Sequence, residues 1–398
     1  MEMVSLGIPD CEDKDVCVET FDASSLSKLI AYKDIPFTNN KNKSCDIKLL
    51  KCGGNHTLIL LENGILLGSG ELRELCNDFQ LFNGWCVLNY RLQELVAPEL
   101  TNLTSASIID SISTCWDSSF IGIKFLQENT IKIFSFGLQF KSELGRPSGS
   151  NRYLIMESGP DCESLTLHSC LYTTISRFQY TNNNVSLYGW GLNNKQQLFR
   201  YVTKADKIVT VPKLLDEYKD NAAIDFILGK DFLFILNYTE DYIECLGNEK
   251  LKASIAKNVP SLRKMAHITA MWSSVHFIYE DNRLVSLGNG SLGQLSLDGN
   301  KLKPVKLLQC GSEHIIYSSI EAPHIVTSWG WGEHGNCGSF DKNKNENEQK
   351  IFTSPNNILN IQENKNYAKI SNVYGGCATT FIKINKAVNI DKMSNNRI

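Results

Sequence analysis

The stretch SWGWGEHGNCG, Ser328–Gly338, decides the fold because weaker copies of it recur along the chain. Two clear copies are LYGWGLNNKQQL at Leu187–Leu198 and LVSLGNGSLGQL at Leu284–Leu295. Fainter copies begin at Ile133 and at Leu66. Recurrence on this scale indicates a fold that is built from a repeated β unit.

A second recurring element precedes each glycine-rich stretch and leads into a short apolar run of the strand type. Its clearest copies are CGGNH at Cys52–His56 and CGSEH at Cys310–His314. Looser copies bring the number to seven, and they begin at Cys115, Cys170, Leu228, Met271 and Gly375. Polar residues of the hairpin-loop type follow the apolar run, and the returning strand ends in glycine. We expect glycine there because the backbone leaves no room for a Cβ or turns sharply.

The two ends of the chain complement each other. The first six leading strands each have a returning partner downstream, whereas the seventh, Cys377–Ile384, has none. A returning strand without a leading partner lies at the other end, Met3–Gly7. Pairing of these two strands would remove two exposed sheet edges. The sequence therefore predicts an all-β fold, a seven-bladed β-propeller whose last blade is closed by the N- and C-terminal strands.

The repeats predict one domain over residues 1–384, followed by a short polar tail over 385–398. A polar segment at about 339–369 is predicted to be a mobile insertion, because its composition is too polar to bury. A second polar insertion covers about Thr38–Ser44, and Gln80–Leu95 is expected to form a short helix or an irregular loop.

Composition narrows the class of protein. Of the 398 residues, 42% are hydrophobic and 21% are charged, which is typical of a folded globular protein. The net charge of −3 argues against a general polyanion binder. The 13 cysteines include no Cys-x-x-Cys pair, and we find neither a leader of the secretory type nor a run of eighteen apolar residues. These observations predict reduced thiols and a cytoplasmic, and possibly also nuclear, protein.

Three Cys/His pairs raise the question of a metal site. Cys-x-x-x-His occurs at Cys52–His56 and Cys310–His314, and His334 with Cys337 adds a third pair. A metal site needs four ligands that converge within bonding distance. The pairs fall at equivalent positions of different repeats, so we predict structural roles, with each imidazole satisfied by backbone. No metal and no cofactor is expected.

Catalytic constellations are equally unconvincing. Glu333 beside His334 could act as an acid and base, with Cys337 as a nucleophile, but neighbouring residues of a strand point to opposite faces. The glycines of Gly288–Gly293 lack the helix and the βαβ context of a dinucleotide site. A thiol oxidoreductase that uses Cys337 or Cys377 would require a thiolate of depressed pKa. We therefore predict that the protein is not an enzyme.

Surface recognition remains as the predicted activity. Large aromatic residues beside polar ones in loops make good anchors, because they supply contact area at low entropic cost. Trp190 and Trp329 occupy the aromatic position of the repeat itself, where packing between blades is expected. The residues that we predict to bind a partner are Trp272, His276, Trp116, Asp117, Lys230, Asp231, Trp331, Glu333 and His334.

The repeat units resemble the regulator-of-chromosome-condensation repeat family, whose members are seven-bladed propellers, over essentially the whole of Met3–Ile384. Four strings narrow the resemblance to a fungal branch of that family, the α-tubulin suppressors. These strings are Trp329–Gly338, Tyr374–Phe381, Cys52–His56 and Met271–His276.

That resemblance implies a non-enzymatic partner of a small CSL-type zinc/iron-binding protein. The pair would support diphthamide synthesis on elongation factor two and Elongator-dependent modification of the wobble uridine of tRNA. Elongator and the diphthamide-synthesis proteins would be reached through the partner, without direct contact to nucleic acid or membrane. The alternative, taken from the best-known member of the family, is a guanine-nucleotide exchange factor for a small GTPase. The sequence departs from the pattern at Leu6–Asp10, where the first glycine-rich element is reduced.

Overall fold

The computed structural model describes residues 2–6, 18–22, 35–38, 45–76, 84–100, 106–199, 204–259, 261–295, 302–338, 350–363 and 367–386. The chain divides into two compact units. The terminal unit consists of Met1–Lys28 and His276–Ile398, and the central unit of Leu29–Val275. Strands make up most of the described secondary structure, which confirms the predicted all-β class.

The strands are numbered here in chain order: β1 (Glu2–Leu6), β2 (Val18–Asp22), β3 (Ile47–Cys52), β4 (His56–Leu61), β5 (Leu66–Gly70), β6 (Trp85–Val87), β7 (Ser107–Thr114), β8 (Ser118–Phe125), β9 (Thr130–Gly137), β10 (Leu154–Glu157), β11 (Cys162–Cys170), β12 (Thr173–Tyr180), β13 (Val185–Leu192), β14 (Ile208–Tyr218), β15 (Ile224–Leu228), β16 (Phe232–Asn237), β17 (Tyr242–Gly247), β18 (Met265–Ala270), β19 (Ser274–Tyr279), β20 (Leu284–Gly288), β21 (Val305–Cys310), β22 (His314–Ser319), β23 (Ile325–Trp331), β24 (Ile351–Asn360), β25 (Tyr367–Gly375) and β26 (Thr380–Lys386).

Helices are short. The α-helices of the described residues are α1 (Asn89–Val96) and α2 (Glu249–Asn258), and short 3-10 turns accompany them. Helix α1 falls in the segment where the sequence predicts a short helix or an irregular loop. Within the described ranges, no helix has both the length and the apolar character needed to cross a membrane.

Six sheets each lie wholly within one unit. The central unit contains the sheets β3-β4-β5-β6, β10-β9-β8-β7, β11-β12-β13-β14 and β15-β16-β17, and the terminal unit contains β21-β22-β23-β24 and β2-β1-β26-β25. Strands β18, β19 and β20 are divided between the units, because the division at Val275 and His276 falls inside β19. Six whole sheets are therefore assigned where the sequence predicts seven blades, and the count of seven stays a prediction.

In the terminal unit, the first strand of the chain pairs with the last. Strands β1 and β26 are antiparallel, with Met3 opposite Lys383 and Leu6 opposite Thr380. Strand β2, which the sequence analysis missed, pairs with the other edge of β1. The closing of a ring by these strands stays a prediction.

Part of the predicted mobile insertion is an ordered strand. Ile351–Asn360 is β24, and it pairs along β23 from Ile325 opposite Asn360 to Trp331 opposite Ile351. This strand is the outermost of its sheet, and none of its residues is fully buried. The polar composition that suggested a loop is that of Asp341–Lys350, of which only Lys350 is among the described residues. Residues 339–349 lie outside the described residues, as do Thr38–Ser44 except Thr38, and residues 387–398 of the tail.

The leading element of the repeat is a tight turn that enters the second strand of each sheet. In six copies, the amide of one residue donates to the carbonyl oxygen three positions later, over 2.7–2.9 Å. The bonds run from Gly53 to His56, Cys115 to Ser118, Gly229 to Phe232, Met271 to Ser274, Gly311 to His314 and Gly376 to Thr379. The second strands that follow are buried, as β16 and β22 are over their full length.

The glycine that ends each returning strand lies against this turn. Gly191 has a φ of +94°, and a Cβ on it would lie 2.1 Å from the carbonyl oxygen of Tyr172. Gly137 has a φ of +101°, and its Cβ would lie 2.2 Å from the carbonyl oxygen of Asp117. Real Cβ atoms do not approach backbone so closely, so the expectation of a glycine with no room for a side chain is confirmed.

Candidate partner-binding surface

Two of the predicted anchors meet in the central unit. Trp116 lies in the turn before β8 and Trp272 in the turn before β19, and the centroids of their rings are 6.0 Å apart with a tilt of 49°. Both side chains are half-buried. Since their turns are far apart in the chain, the sequence alone did not predict that these indoles touch.

Backbone hydrogen bonds between turns hold this pair in place. The amide of Gly54 donates to the carbonyl oxygen of Trp116 over 2.8 Å, and the amide of Trp116 donates to that of Leu171 over 2.9 Å. The amide of Lys230 donates to the carbonyl oxygen of Trp272 over 2.8 Å. The two tryptophans are therefore fixed at the backbone level by the turns of neighbouring sheets, and we call them the tryptophan pair.

Packing fixes the rings as well. A Cβ on Gly54 would lie 2.5 Å from the indole of Trp116, so this ring rests directly on a glycine. Trp272 packs against a buried cluster that includes Cys170 and Leu228. Each indole thus has one supported side and keeps part of its surface exposed, which is the arrangement of a rigid aromatic anchor.

The charged residues beside the tryptophan pair divide into two kinds. Asp117 is buried and forms an ion pair with Arg73, with 3.1 Å between Oδ1 and Nη2. A buried and paired carboxylate offers little to a partner, which corrects the predicted binding role of Asp117. Lys230 is exposed, and Asp231 is half-buried beside it. The Oδ2 atom of Asp231 accepts a bond of 3.4 Å from Asn248, while Oδ1 is buried without a partner in the described part of the chain.

His276 is not at the surface. It lies inside β19, every residue of which is buried, and its Nδ1 is 2.8 Å from the hydroxyl of Ser286. Burial lowers the pKa of His276 to about 3, so the ring is neutral near pH 7. The predicted contact of His276 with a partner is wrong, because this residue follows the exposed turn and has already entered the strand.

In the terminal unit, Trp331, Glu333 and His334 form a local cluster. The indole nitrogen of Trp331 donates to Oε2 of Glu333 over 3.1 Å, and the rings of Trp331 and His334 meet edge to face with centroids 5.2 Å apart. The ammonium of Lys350 bonds Glu333, which lowers the pKa of this carboxyl. Glu333 is thus held by Trp331 and Lys350, and the geometry does not make an acid–base pair of Glu333 and His334.

The cysteines considered as nucleophiles are poorly suited to that role. Cys337 is fully buried and lies 3.3 Å from the hydroxyl of Ser328. Burial raises the pKa of Cys337 to about 12 and that of Cys377 to about 11. At neutral pH both are therefore thiols, whereas a nucleophile or redox centre needs the thiolate.

The histidines of the Cys-x-x-x-His pairs serve the packing between sheets. His56 Nε2 lies 2.9 Å from the hydroxyl of Ser119, and His314 Nε2 lies 3.0 Å from that of Thr380. Each imidazole ring packs on the glycine three positions before it, which is Gly53 for His56 and Gly311 for His314. The prediction named backbone as the partner of each imidazole. The structure gives a hydroxyl group of another strand to both rings, and His314 also bonds the backbone of Thr379. Among the described residues, no group of three or more His, Cys, Asp or Glu could hold a metal ion.

Trp190 and Trp329 pack inside the protein, as expected for the aromatic position of the repeat. Both are fully buried, and Trp190 meets Phe120 of a neighbouring sheet edge to face, with centroids 5.5 Å apart. The indole nitrogen of Trp190 donates over 2.9 Å to the carbonyl oxygen of Glu143. Glu143 is itself buried and accepts the amides of Phe140 and Lys141, so it shapes a loop rather than a site. Sequence reasoning did not single out Glu143.

Comparisons with known proteins agree with this description. No protein-family model matches the chain. An RCC1 repeat-containing protein of Schizosaccharomyces pombe is 24% identical over 308 residues, which cover 74% of this chain and 81% of the relative. The structure resembles that of Prp20p from Saccharomyces cerevisiae, with a TM-score of 0.66, 14% identity, and coverage of 99% of this chain and 93% of Prp20p. Human WBSCR16 gives a TM-score of 0.59 at 13% identity, covering 97% of this chain and 99% of that protein.

Prp20p was described together with its binding to Gsp1p and histones. At these identities, likeness to the solved structures carries the fold alone. The chain thus has an all-β β-propeller fold of the RCC1-like kind, and its similarity to the fission-yeast protein supports the RCC1-repeat family.

Proposed function

We propose that this chain is a non-enzymatic scaffold that binds a small CSL-type zinc/iron-binding protein, in the manner implied by its resemblance to the fungal α-tubulin suppressor, also called the killer-toxin-insensitivity protein. Through that partner it supports diphthamide synthesis on elongation factor two and Elongator-dependent modification of the tRNA wobble uridine. It acts in the cytoplasm. The heterodimer requires no direct contact with nucleic acid or membrane.

The observation that carries this proposal is the tryptophan pair. Trp116 and Trp272 are half-exposed, touch each other, and are held by backbone bonds and by packing. Rigid, partly buried tryptophans are the side chains most often found to dominate binding energy at protein interfaces. Lys230 gives the same region an exposed positive charge. A stable interface centred here would bury about 1,200–2,000 Å² in total.

The finer architecture in this proposal is a closed ring of seven blades. The pairing of β1 with β26 supports it, because the blade predicted to contain both ends would have this register. The six equivalent turns support it as well, since each begins the second strand of a repeat. A rigid propeller would position loops without supplying reactive groups, and the raised pKa values of the Cys337 and Cys377 thiols are consistent with a protein that is not a thiol enzyme.

Replacing Trp272 tests the anchor directly. We expect Trp272→Ala to raise the Kd for the zinc-loaded CSL-type partner at least about 30-fold, since central tryptophans contribute about 2 kcal/mol or more. Isothermal titration calorimetry measures this change, and far-UV circular dichroism checks that the variant is folded. The matched control is Tyr238→Ala, because Tyr238 is also an exposed aromatic residue (38%) but follows the end of β16 that is opposite the turn bonded to Trp272. Full affinity in a folded Trp272→Ala protein would show that Trp272 is not an anchor.

The second candidate function is nucleotide exchange on a small GTPase, which the fold shared with Prp20p favours. If the scaffold proposal is right, release of fluorescent GDP from Gsp1p should stay within about twofold of its intrinsic rate when this chain is added. Prp20p serves as the positive control in the same assay. Acceleration of about tenfold or more, which corresponds to about 1.4 kcal/mol off the barrier, would favour the exchange factor instead.

A further inference from the structure

The sheet of β15, β16 and β17 is one strand short. In each of the other whole sheets a fourth strand pairs with the third: β6 with β5, β10 with β9, β14 with β13, β24 with β23 and β2 with β1. After β17 the chain forms helix α2, whose N-terminus is capped by Asn248, since Oδ1 of this side chain accepts a bond from the amide of Leu251. The described residues between β17 and β18, which are 248–264 except 260, contain no strand.

Among the residues that the structure describes, nothing pairs with the outer edge of β17, and we call this edge open. Its inner edge pairs with β16 from Tyr242 opposite Asn237 to Gly247 opposite Phe232. In the described part of the chain, no other strand bonds to Tyr242–Leu246. An open strand edge presents unpaired amides and carbonyl groups, and these can pair with a strand from another chain.

A groove runs along this strand. It has a volume of about 580 Å³ and is lined by residues of both β17 and α2. Apolar lining comes from Leu246 and Cys245 of the strand and from Ile255 and Val259 of the helix. A groove of this size has the volume of typical ligand pockets in proteins. The apolar residues that line the groove can contact alternate side chains of an added strand.

Charge in and near the groove is predominantly negative. Glu244 and Glu249 line it, against the single ammonium of Lys252. Asp241 also lines it, but this carboxylate is held by the Ser261 hydroxyl at 2.7 Å and lies 3.7 Å from the Arg263 guanidinium.

Further acidic residues lie nearby. Burial raises the pKa of the Tyr218 hydroxyl, and the nearby carboxylates of Asp216, Glu244 and Glu240 raise it further. The negative charge thus extends beyond the groove itself.

The negative charge at the open edge of β17 favours a basic segment over a second copy of the same strand. A second copy of β17, added antiparallel, would bring two acidic strands together, and like charges across strands are destabilising. An extended segment that carries Lys or Arg would instead be attracted. Tyr242, whose side chain is 56% exposed, adds an aromatic face near the edge that a cation can approach.

We infer that the open edge of β17, with the groove between β17 and α2, binds an extended basic peptide of a partner protein, which adds to the sheet as its fourth strand. Backbone hydrogen bonds supply the pairing, and the acidic side chains select for lysine and arginine at alternate positions. The inference does not rest on the tryptophan pair, and the two surfaces use different residues.

The test is fluorescence anisotropy on the full-length chain with a labelled octapeptide of alternating lysine and valine. We expect saturable binding of the peptide to the unchanged chain, and a Kd at least tenfold higher for the Glu244→Lys variant. The matched control is Glu128→Lys, a charge reversal at an exposed loop position, which should bind as the unchanged chain does. Circular dichroism verifies that both variants are folded.

A second probe separates strand addition from simple charge attraction. The same octapeptide with alternate backbone amides N-methylated keeps its charge but cannot donate along one edge, and it should bind at least tenfold more weakly. Equal binding of the methylated peptide, or equal affinity of the Glu244→Lys protein, would overturn the inference. So would a dimer in analytical ultracentrifugation that Glu244→Lys strengthens, since the edge would then pair with a second copy of the chain.

Discussion

Gly191→Ala should lower the free energy of unfolding by at least about 4 kcal/mol, in the range that marks an exceptional point mutation. The added Cβ would lie 2.1 Å from the Tyr172 carbonyl oxygen and 3.1 Å from its carbon, both backbone atoms that cannot rotate away. The turn would have to move, and with it the 2.8 Å bond from the Leu192 amide to the same oxygen. The positive φ adds a cost of about 1–2 kcal/mol for a residue with a side chain. Natural proteins are stable by about 5–15 kcal/mol in total, so a loss of this size removes a large part of the stability and moves unfolding to a much lower urea concentration.

Gly149→Ala is the matched control for this prediction. Gly149 also has a positive φ, +78°, but a Cβ on it would meet no atom within 4 Å. This variant should therefore show the cost of the φ alone, about 1–2 kcal/mol. Urea unfolding followed by tryptophan fluorescence measures both variants. Equal losses for the two would mean that the contact with Tyr172 is not what requires glycine at position 191.

Acidification should unfold the protein between about pH 6 and pH 4.5. Burial lowers the pKa of His56 to about 4 and those of His276 and His314 to about 3, against an ordinary value near 6.5 in the unfolded chain. Below pH 6.5 these histidines bind protons in the unfolded chain but remain unprotonated in the folded protein. The stability contributed by these histidines is therefore complete above pH 6.5 and is lost as the pH falls toward the folded values. The free energy of unfolding should fall by about 1.4 kcal/mol per pH unit for each histidine. For the three together, the expected slope is about 4 kcal/mol per pH unit.

Circular dichroism and urea unfolding at pH 7, 6 and 5 measure this dependence. His314→Gln can still bond Thr380 but does not titrate, so it should reduce the slope of unfolding free energy against pH by about 1.4 kcal/mol per unit. A variant that changes no titrating group, Gly149→Ala, should leave the slope unaltered. If His314→Gln keeps the full slope, His314 does not take up its proton on unfolding.

The repeat was readable from the sequence because its physical constraints are local. A glycine that must meet a carbonyl oxygen, as Gly191 does, leaves the same signature in each unit. The fully buried positions of Trp190 and Trp329 could likewise be predicted, since their place in the unit requires packing. The turn before the second strand was also located correctly, although the hydroxyl partners of His56 and His314 were not.

Features that depend on contacts between different repeats could not be predicted from the sequence in this way. The contact of Trp116 with Trp272 joins distant turns, and the ion pair of Asp117 joins it to Arg73 in the 3-10 turn that follows β5. His276 was predicted to lie in the exposed turn, but it lies two residues inside the buried strand that follows the turn. Strand β24 was taken for part of a loop, because the polar run Asp341–Lys350 that precedes it decided the prediction for the whole segment.

The register of β1 with β26 has a consequence for synthesis on the ribosome. Met3 is made well before its partner Lys383, which lies hundreds of residues later in the chain. At about 5–20 residues per second, that delay amounts to tens of seconds. Strand β2 is made shortly after β1 and pairs with its other edge, so only one edge of β1 has to wait until β26 has been made.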